Sequence, residues 1–261
     1  MRLIFGDGWL GNILAKSYGC HISPGEINEV VDIDDTYDTV INCAAKTTID
    51  WCESNKVETI KSNVSGAVNL AKVCKELGKK YVFISSACIF ESEHPHDVKY
   101  EDDTPNPKCF YARSKALAEE LILEANPDTL IIRIRLPLSE IPHPRNTITK
   151  LLSYTNLNDN EESVTVIEDM IPVLDELIRK KATGIYHLVN AGTVSPEYIG
   201  TMFNHKFEIW SKQAQDIELK EKGKAKRVTT IVGSKRIPLL PEIRNRLLSI
   251  KEKYEDSHNR K

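Results

Sequence analysis

Short, continuously apolar runs alternate with longer stretches in which apolar residues recur every three or four positions. The apolar runs fall at residues 2–5, 39–45, 81–85, 129–135 and 185–189, and the periodic stretches at 9–18, 62–77, 111–124 and 170–181. A strand buried on both faces has no polar side, so it is continuously apolar, whereas a covering helix shows a stripe at its own period. The alternation predicts an α/β fold with a doubly wound parallel sheet.

The pattern changes after residue 135. Pro137, Pro142 and Pro144 punctuate a loop, and residues 156–163 form a polar connection. The helix at 170–181 and the strand at 185–189 are expected to return to the sheet. Residues 1–135 with 164–190 are therefore assigned to a nucleotide-binding domain. Residues 136–163 with 191–254 form a small C-terminal lobe, and 255–261 a frayed polar tail.

Composition narrows the partners. The 261 residues are 41% apolar and 28% charged, with a net charge of −3, which gives no reason to expect nucleic acid or an anionic membrane. No apolar run reaches the roughly 20 residues that span a bilayer, and the N-terminus lacks signal-peptide organisation, so a cytoplasmic protein is expected. The six cysteines form no C-x-x-C pair and the seven histidines no cluster, so no metal site is assigned. Cys74 continues the apolar stripe of Val64, Ala67, Val68 and Ala71 and is expected in the core.

The first strand is followed by Gly6-Asp7-Gly8-Trp9-Leu10-Gly11, a G-x-G-x-x-G at the first βα junction. Glycines there permit a tight turn and let backbone N–H groups approach a pyrophosphate at a helix N-terminus, which makes the fold Rossmann-type. The second strand ends at His21 and Ser23, with no carboxylate before Glu26 to hold the 2′-hydroxyl of NAD. NADPH is therefore favoured, with NADH possible. Asn42-Cys43-Ala44-Ala45 closes another strand, and its small residues suit either close cofactor approach or tight strand–helix packing. Asn42, Ala44 and Ala45 are candidates for the cofactor.

The strand at 81–85 runs into Ser86, Ala87 and Cys88, and Tyr111 and Lys115 stand at i and i+4 on one helix face. An ammonium beside a phenol favours phenolate, which equips Tyr111 to exchange a proton with a carbonyl oxygen.

Taken together, the glycine turn, N-x-A-A, Asn63-Val64-x-Gly66, the strand ending in serine and Y-x-x-x-K resemble the extended short-chain dehydrogenase/reductases. Within them the chain is similar to the dTDP-4-dehydrorhamnose reductases and to the plant-type nucleotide-rhamnose synthases. The strings DWCESNKVETIKSNV (50–64), CIFE (88–91), IRIRLPLS (132–139), PRNTITK (144–150) and GIYHLVNAGTVS (184–195) carry that resemblance. The first turn is one residue shorter than the family's G-x-x-G-x-x-G.

The resemblance implies a bifunctional 3,5-epimerase/4-reductase that converts UDP-4-keto-6-deoxy-D-glucose to UDP-L-rhamnose with NADPH. It implies that Ser86 holds the C4 carbonyl oxygen, Tyr111 donates the proton to it, and Lys115 holds the ribose and tunes Tyr111. Asn63 would orient Lys115 through water, or else cap a helix start. Cys88 and Lys150 would exchange protons at C3 and C5, both α to the ketone, and Arg145 and Asn146 would contact the UDP moiety. The small lobe would bind the substrate, an upstream 4,6-dehydratase would supply it, and the chain would form a homodimer. Two alternatives stay open: a monofunctional dTDP-4-dehydrorhamnose reductase, and a non-catalytic NADP-binding regulatory subunit.

Overall fold

The computed structural model describes residues 1–25, 27 and 33–259, with side chains described through Tyr254. Glu26 and residues 260–261 lie outside the described residues. The first half of the chain runs β1 (Arg2–Phe5), α1 (Trp9–Tyr18), β2 (His21–Ile22), β3 (Thr39–Asn42), α2 (Ile49–Ser54) and α3 (Lys56–Ile60). A π-helical turn (Lys61–Gly66) then leads into α4 (Ala67–Glu76), β4 (Lys80–Ser86), α5 (Phe110–Ala125) and β5 (Leu130–Ile134). There follow β6 (Pro137–Leu138), α6 (Thr147–Leu151), β7 (Asn156–Leu157), β8 (Thr165–Val166), α7 (Ile167–Arg179) and β9 (Gly184–His187). The chain closes with α8 (Pro196–Met202), β10 (Glu208–Ile209), α9 (Lys212–Glu221) and α10 (Ile243–Asn259).

Six strands form one sheet in the order β2-β1-β3-β4-β5-β9. The pairs β1–β2, β1–β3 and β3–β4 are parallel. From β1 the chain crosses first to one side, at β2, and then to the other, at β3. That reversal is a topological switch point, where α/β sheets open a crevice beyond the carboxyl ends of their strands.

The chain divides into two compact units. The first comprises residues 1–89, 105–133 and 174–186, and the second residues 90–104, 134–173 and 187–261. Residues 90–104, given to the first domain from the sequence, thus group with the second unit, as do 164–173 and 187–190. Strand residues Phe5, Val40, Tyr81 and Phe83 pack with Val64, Leu70 and Ile122 from helices to form the core of the first unit. Each such side chain contributes about 1.5–3 kcal/mol when fully buried. Cys74 belongs to this core, as its periodicity predicts. Leu138, Ile148, Val166, Ile199, Ile243 and Leu247 centre the core of the second unit.

Two local expectations are corrected. The helix predicted over 62–77 begins as a π-helical turn, a widening that fits one extra residue and so escapes a 3.6-residue pattern. The tail expected to fray from residue 255 continues α10 as far as Asn259. Among the described residues no helix is long and apolar enough to cross a membrane.

Candidate active site

Ser86 ends β4, and the chain then tightens into a short 3₁₀ turn, Ala87–Ile89. The turn directs the backbone N–H of Cys88 onto the Ser86 Oγ at 3.2 Å. The Cys88 side chain is half-buried and Ser86 is buried. Tyr111 and Lys115 occupy the first and second turns of α5, on the face turned into the protein, and both are buried. The Ser86 hydroxyl hydrogen-bonds the Tyr111 phenol, and Cys88 lies near enough to act on it electrostatically. Ser86, Cys88, Tyr111 and Lys115 are thus brought together within the first unit.

Charge behaves differently here from the sequence expectation. Burial pushes the Tyr111 phenol well above its usual range and Cys88 adds to the rise, while the Ser86 hydrogen bond opposes them. The lowering expected from Lys115 is outweighed by the burial of the phenol itself, and the lysine is buried too. Burial brings its ammonium down to about 8, against the pull of Glu119 and Cys43. Lys115 Nζ donates to the Ile84 carbonyl at 2.8 Å and stands 4.0 Å from the centre of the Phe83 ring. The site keeps its phenol protonated, which suits a proton donor to a carbonyl oxygen.

Three supports for α5 were not read from the sequence. The Glu53 carboxylate, from α2, accepts from the Phe110 N–H at 2.6 Å and caps the helix beside Tyr111. Ser114 Oγ donates to the Tyr111 carbonyl at 2.7 Å and accepts from Asn63 Nδ2 at 3.1 Å. Ser85 Oγ donates to Glu119, which also takes the Arg133 fork. Only Glu119 had a usable signal, since Tyr111, Lys115 and Glu119 continue one i, i+4, i+8 stripe.

Asn63 does not cap a helix start, and its amide reaches Ser114, the neighbour of Lys115 in α5. From the π-helical turn its amide clamps the loop after β3, accepting from Lys46 N at 2.8 Å and donating to Lys46 O at 3.0 Å. π-turns recur at functional sites because they re-aim one side chain. Asn42, a cofactor candidate from the sequence, supports the strand end. Its buried amide donates to the Tyr81 hydroxyl at 2.8 Å and accepts from Ala44 N at 2.9 Å.

The glycine turn divides by space. Gly6 has φ +98°, and a Cβ there would lie 2.6 Å from Ala44 N, so the turn and the end of β3 meet backbone to backbone. A methyl on Gly11 would be driven into the Gly6 carbonyl oxygen. Gly8, the N-cap of α1, would place a Cβ with nothing within 4 Å. Asn12 Nδ2 donates to the Asp7 and Gly8 carbonyls and so ties the turn to α1. Asp7 and Gly8 are exposed, while Trp9, Leu10, Ala44 and Ala45 are half-buried around the same junction. Two closed glycines and one open one over a helix N-terminus fit a dinucleotide pyrophosphate.

The remaining candidates belong to the second unit. Lys150, in α6, is an exposed residue whose ammonium is held below the usual lysine range by partial desolvation and then by the charge of Arg145. Arg145 is exposed. Asn146 is fully buried: its oxygen caps Ile148 N at 3.1 Å, and its Nδ2 donates to the Ser139 and Ile141 carbonyls and the Tyr254 hydroxyl. The side chain named from the sequence as a substrate contact thus serves in this structure as a helix cap. Among the described residues no group of three or more His, Cys, Asp or Glu could hold a metal ion.

The chain is similar to proteins of known activity and structure. The chain is 36% identical over 222 residues to the bifunctional dTDP-4-dehydrorhamnose 3,5-epimerase/dTDP-4-dehydrorhamnose reductase of Arabidopsis thaliana, covering 77% of this chain and 73% of that protein. It is 34% identical to the trifunctional UDP-glucose 4,6-dehydratase/UDP-4-keto-6-deoxy-D-glucose 3,5-epimerase/UDP-4-keto-L-rhamnose-reductase RHM2 of the same plant, over 96% of this chain but only 40% of that longer protein. Among solved structures, the L780 UDP-rhamnose synthase of Acanthamoeba polyphaga mimivirus superposes with a TM-score of 0.85 at 26% identity, covering 97% of this chain and 98% of that one. The dTDP-4-dehydrorhamnose reductase of Bacillus anthracis, solved in complex with NADP, shares the fold at a TM-score of 0.79 and 20% identity, covering 98% of both chains. The family model described as RmlD substrate binding domain matches residues 23–229, and this chain belongs to that family.

Proposed function

We propose that the protein is a bifunctional 3,5-epimerase/4-reductase that converts UDP-4-keto-6-deoxy-D-glucose to UDP-L-rhamnose with NADPH. One observation carries the reading: Ser86 bonds the Tyr111 phenol and takes the N–H of Cys88, so two hydroxyls and a thiol converge at one strand end. The plant and mimivirus relatives, named for these activities, support the substrate class.

Gly6, Gly8 and Gly11 with the first turn of α1 would hold the cofactor pyrophosphate, and Lys115 its ribose. The cofactor supplies hydride to C4. Ser86 steadies the C4 oxygen, and Tyr111, kept protonated by burial, delivers the proton to it. The same two donors stabilise the enolate that forms when a proton leaves C3 or C5. Cys88 takes part in that exchange on one face of the ring. Lys150 serves as the opposing acid, with its depressed ammonium suited to giving up a proton. Arg145 offers a fork for the diphosphate. A separate 4,6-dehydratase supplies the keto sugar, and the active form is a homodimer, checked by its mass in solution.

The test is turnover in D2O. The protein is incubated with UDP-4-keto-6-deoxy-D-glucose and NADPH, and deuterium is located in the product. Label at C3 and C5 of a rhamnosyl product is expected. Reduction of pre-epimerised sugar alone leaves a plain reductase, and no turnover of either substrate points to a regulatory subunit. Cys88→Ser should lose exchange yet still reduce pre-epimerised sugar, and equal loss of both activities would remove the separate role of the thiol.

A further inference from the structure

We propose that Glu119 is a positioning residue of this site: it fastens the end of β4 that presents Ser86 onto α5, and it supplies the carboxylate beside Lys115. The inference rests on the reductase reading above.

Residues 84, 85 and 86 are consecutive at the end of β4. Lys115 Nζ binds the Ile84 carbonyl at 2.8 Å, and one turn along α5 Glu119 accepts from Ser85 Oγ. The third residue, Ser86, carries the hydroxyl that meets Tyr111. Two adjacent residues are therefore held by i and i+4 of one helix, and the next presents the reacting group. Glu119 is itself braced: Arg133 Nε lies 3.1 and 3.0 Å from its two oxygens, and a terminal nitrogen of Arg133 lies 2.6 Å from Oε2. Glu119, Arg133 and Ser85 are each no more than 3% exposed, so the carboxylate has little freedom to turn elsewhere.

Glu119 also stands out among the groups that face Lys115. The Phe83 ring lies 4.0 Å away and carries no net charge. The thiol of Cys43, from the end of β3, is pushed up to about 12 by burial, and the Tyr111 phenol is also pushed up, so both are neutral near pH 7. Glu119 carries the negative charge that opposes the burial of the ammonium. Neither support would be expected of a residue that only filled the core.

The experiment reads charge and geometry separately on the full-length chain. Lysine side chains are labelled with 15N, and the Lys115 Nζ titration is followed by NMR in the cofactor-free protein. In Glu119→Gln, which keeps an oxygen for Ser85 but has no charge, the midpoint is expected below that of the wild type, and the alkaline limb of the kcat profile follows it. Ser85→Ala is expected to lower kcat about tenfold by misplacing Ser86, with the KM for NADPH and the alkaline limb unchanged, and Ser85→Thr to restore it. A Glu119→Gln titration that coincides with the wild type, or wild-type kcat in Ser85→Ala, overturns the proposal. Should Glu119→Gln fail to fold, the Ser85 pair decides. If the wild-type protein reduces neither sugar while the Lys115 midpoint still falls in Glu119→Gln, the functional reading fails and the link between carboxylate and lysine stands.

Discussion

The backbone N–H of Cys88 donates to the Oγ of Ser86 at 3.2 Å, so one turn sets the positions of both thiol and hydroxyl. Removing the hydroxyl and removing the thiol should therefore have different signatures. Ser86→Ala is expected to lower deuterium exchange and hydride transfer together, by about 10²-fold each, because one donor serves one oxygen in both steps. Ser86→Thr should retain most of both. Single-turnover reduction of pre-epimerised sugar, measured beside exchange into the unreduced ketone, checks the pair.

The three turn glycines should separate stability from binding. Gly6→Ala combines φ +98° with a methyl against Ala44 N, and is expected to cost more than about 3 kcal/mol. Gly8→Ala meets no neighbour and should stay within about 1 kcal/mol of the wild type. Its methyl enters the space above α1, so its NADPH affinity should fall although its fold does not. Urea unfolding and a fluorescence titration with NADPH read the two quantities.

Asn63 gives a sharper test of the loop after β3. Its amide donates to Lys46 O and Ser114 Oγ and accepts from Lys46 N. Asn63→Ala should destabilise the protein by about 1–3 kcal/mol through unmet buried partners. Asn63→Asp should do no better, since a carboxylate would face the Lys46 carbonyl where a donor is needed. Chemical unfolding of the two variants side by side settles the comparison.

What the sequence showed and what it hid divide along physical lines. The first βα junction, β4 ending at Ser86 and the Tyr111–Lys115 face of α5 are local patterns, and each stands where its period or its glycines place it. Glu53 at the N-terminus of α5 and Asn63 at Lys46 act across 57 and 17 positions of chain, and only the folded sheet brings them together. Asn146 carries a polar side chain that suits a ligand equally well until its burial is known. The direction of the Tyr111 shift is hidden from the sequence for a related reason. A neighbouring lysine is visible in the sequence, whereas the burial that outweighs it is a property of the fold.

Buried thiols should set the alkaline limit of stability. Cys74 is pushed up to about 12 by burial, whereas an unfolded cysteine titrates near about 8.5. Between those values the folded state keeps a proton that the unfolded chain has lost, so stability falls as pH rises. Cys74→Ala removes that contribution. The fall in unfolding free energy between about pH 9 and 11 should be shallower in the variant, whatever its loss of packing at neutral pH.

The contact between Gly6 and Ala44 also bears on how this protein can change over generations. Backbone against backbone leaves no side chain to trade, so drift at that junction is closed, and a shift of cofactor preference cannot begin there. The freedom lies at the end of β2, a strand of two residues followed by half-exposed Ser23 and exposed Pro24 and Gly25. Selection for a different dinucleotide should gather its substitutions in that short segment and leave the glycine turn untouched.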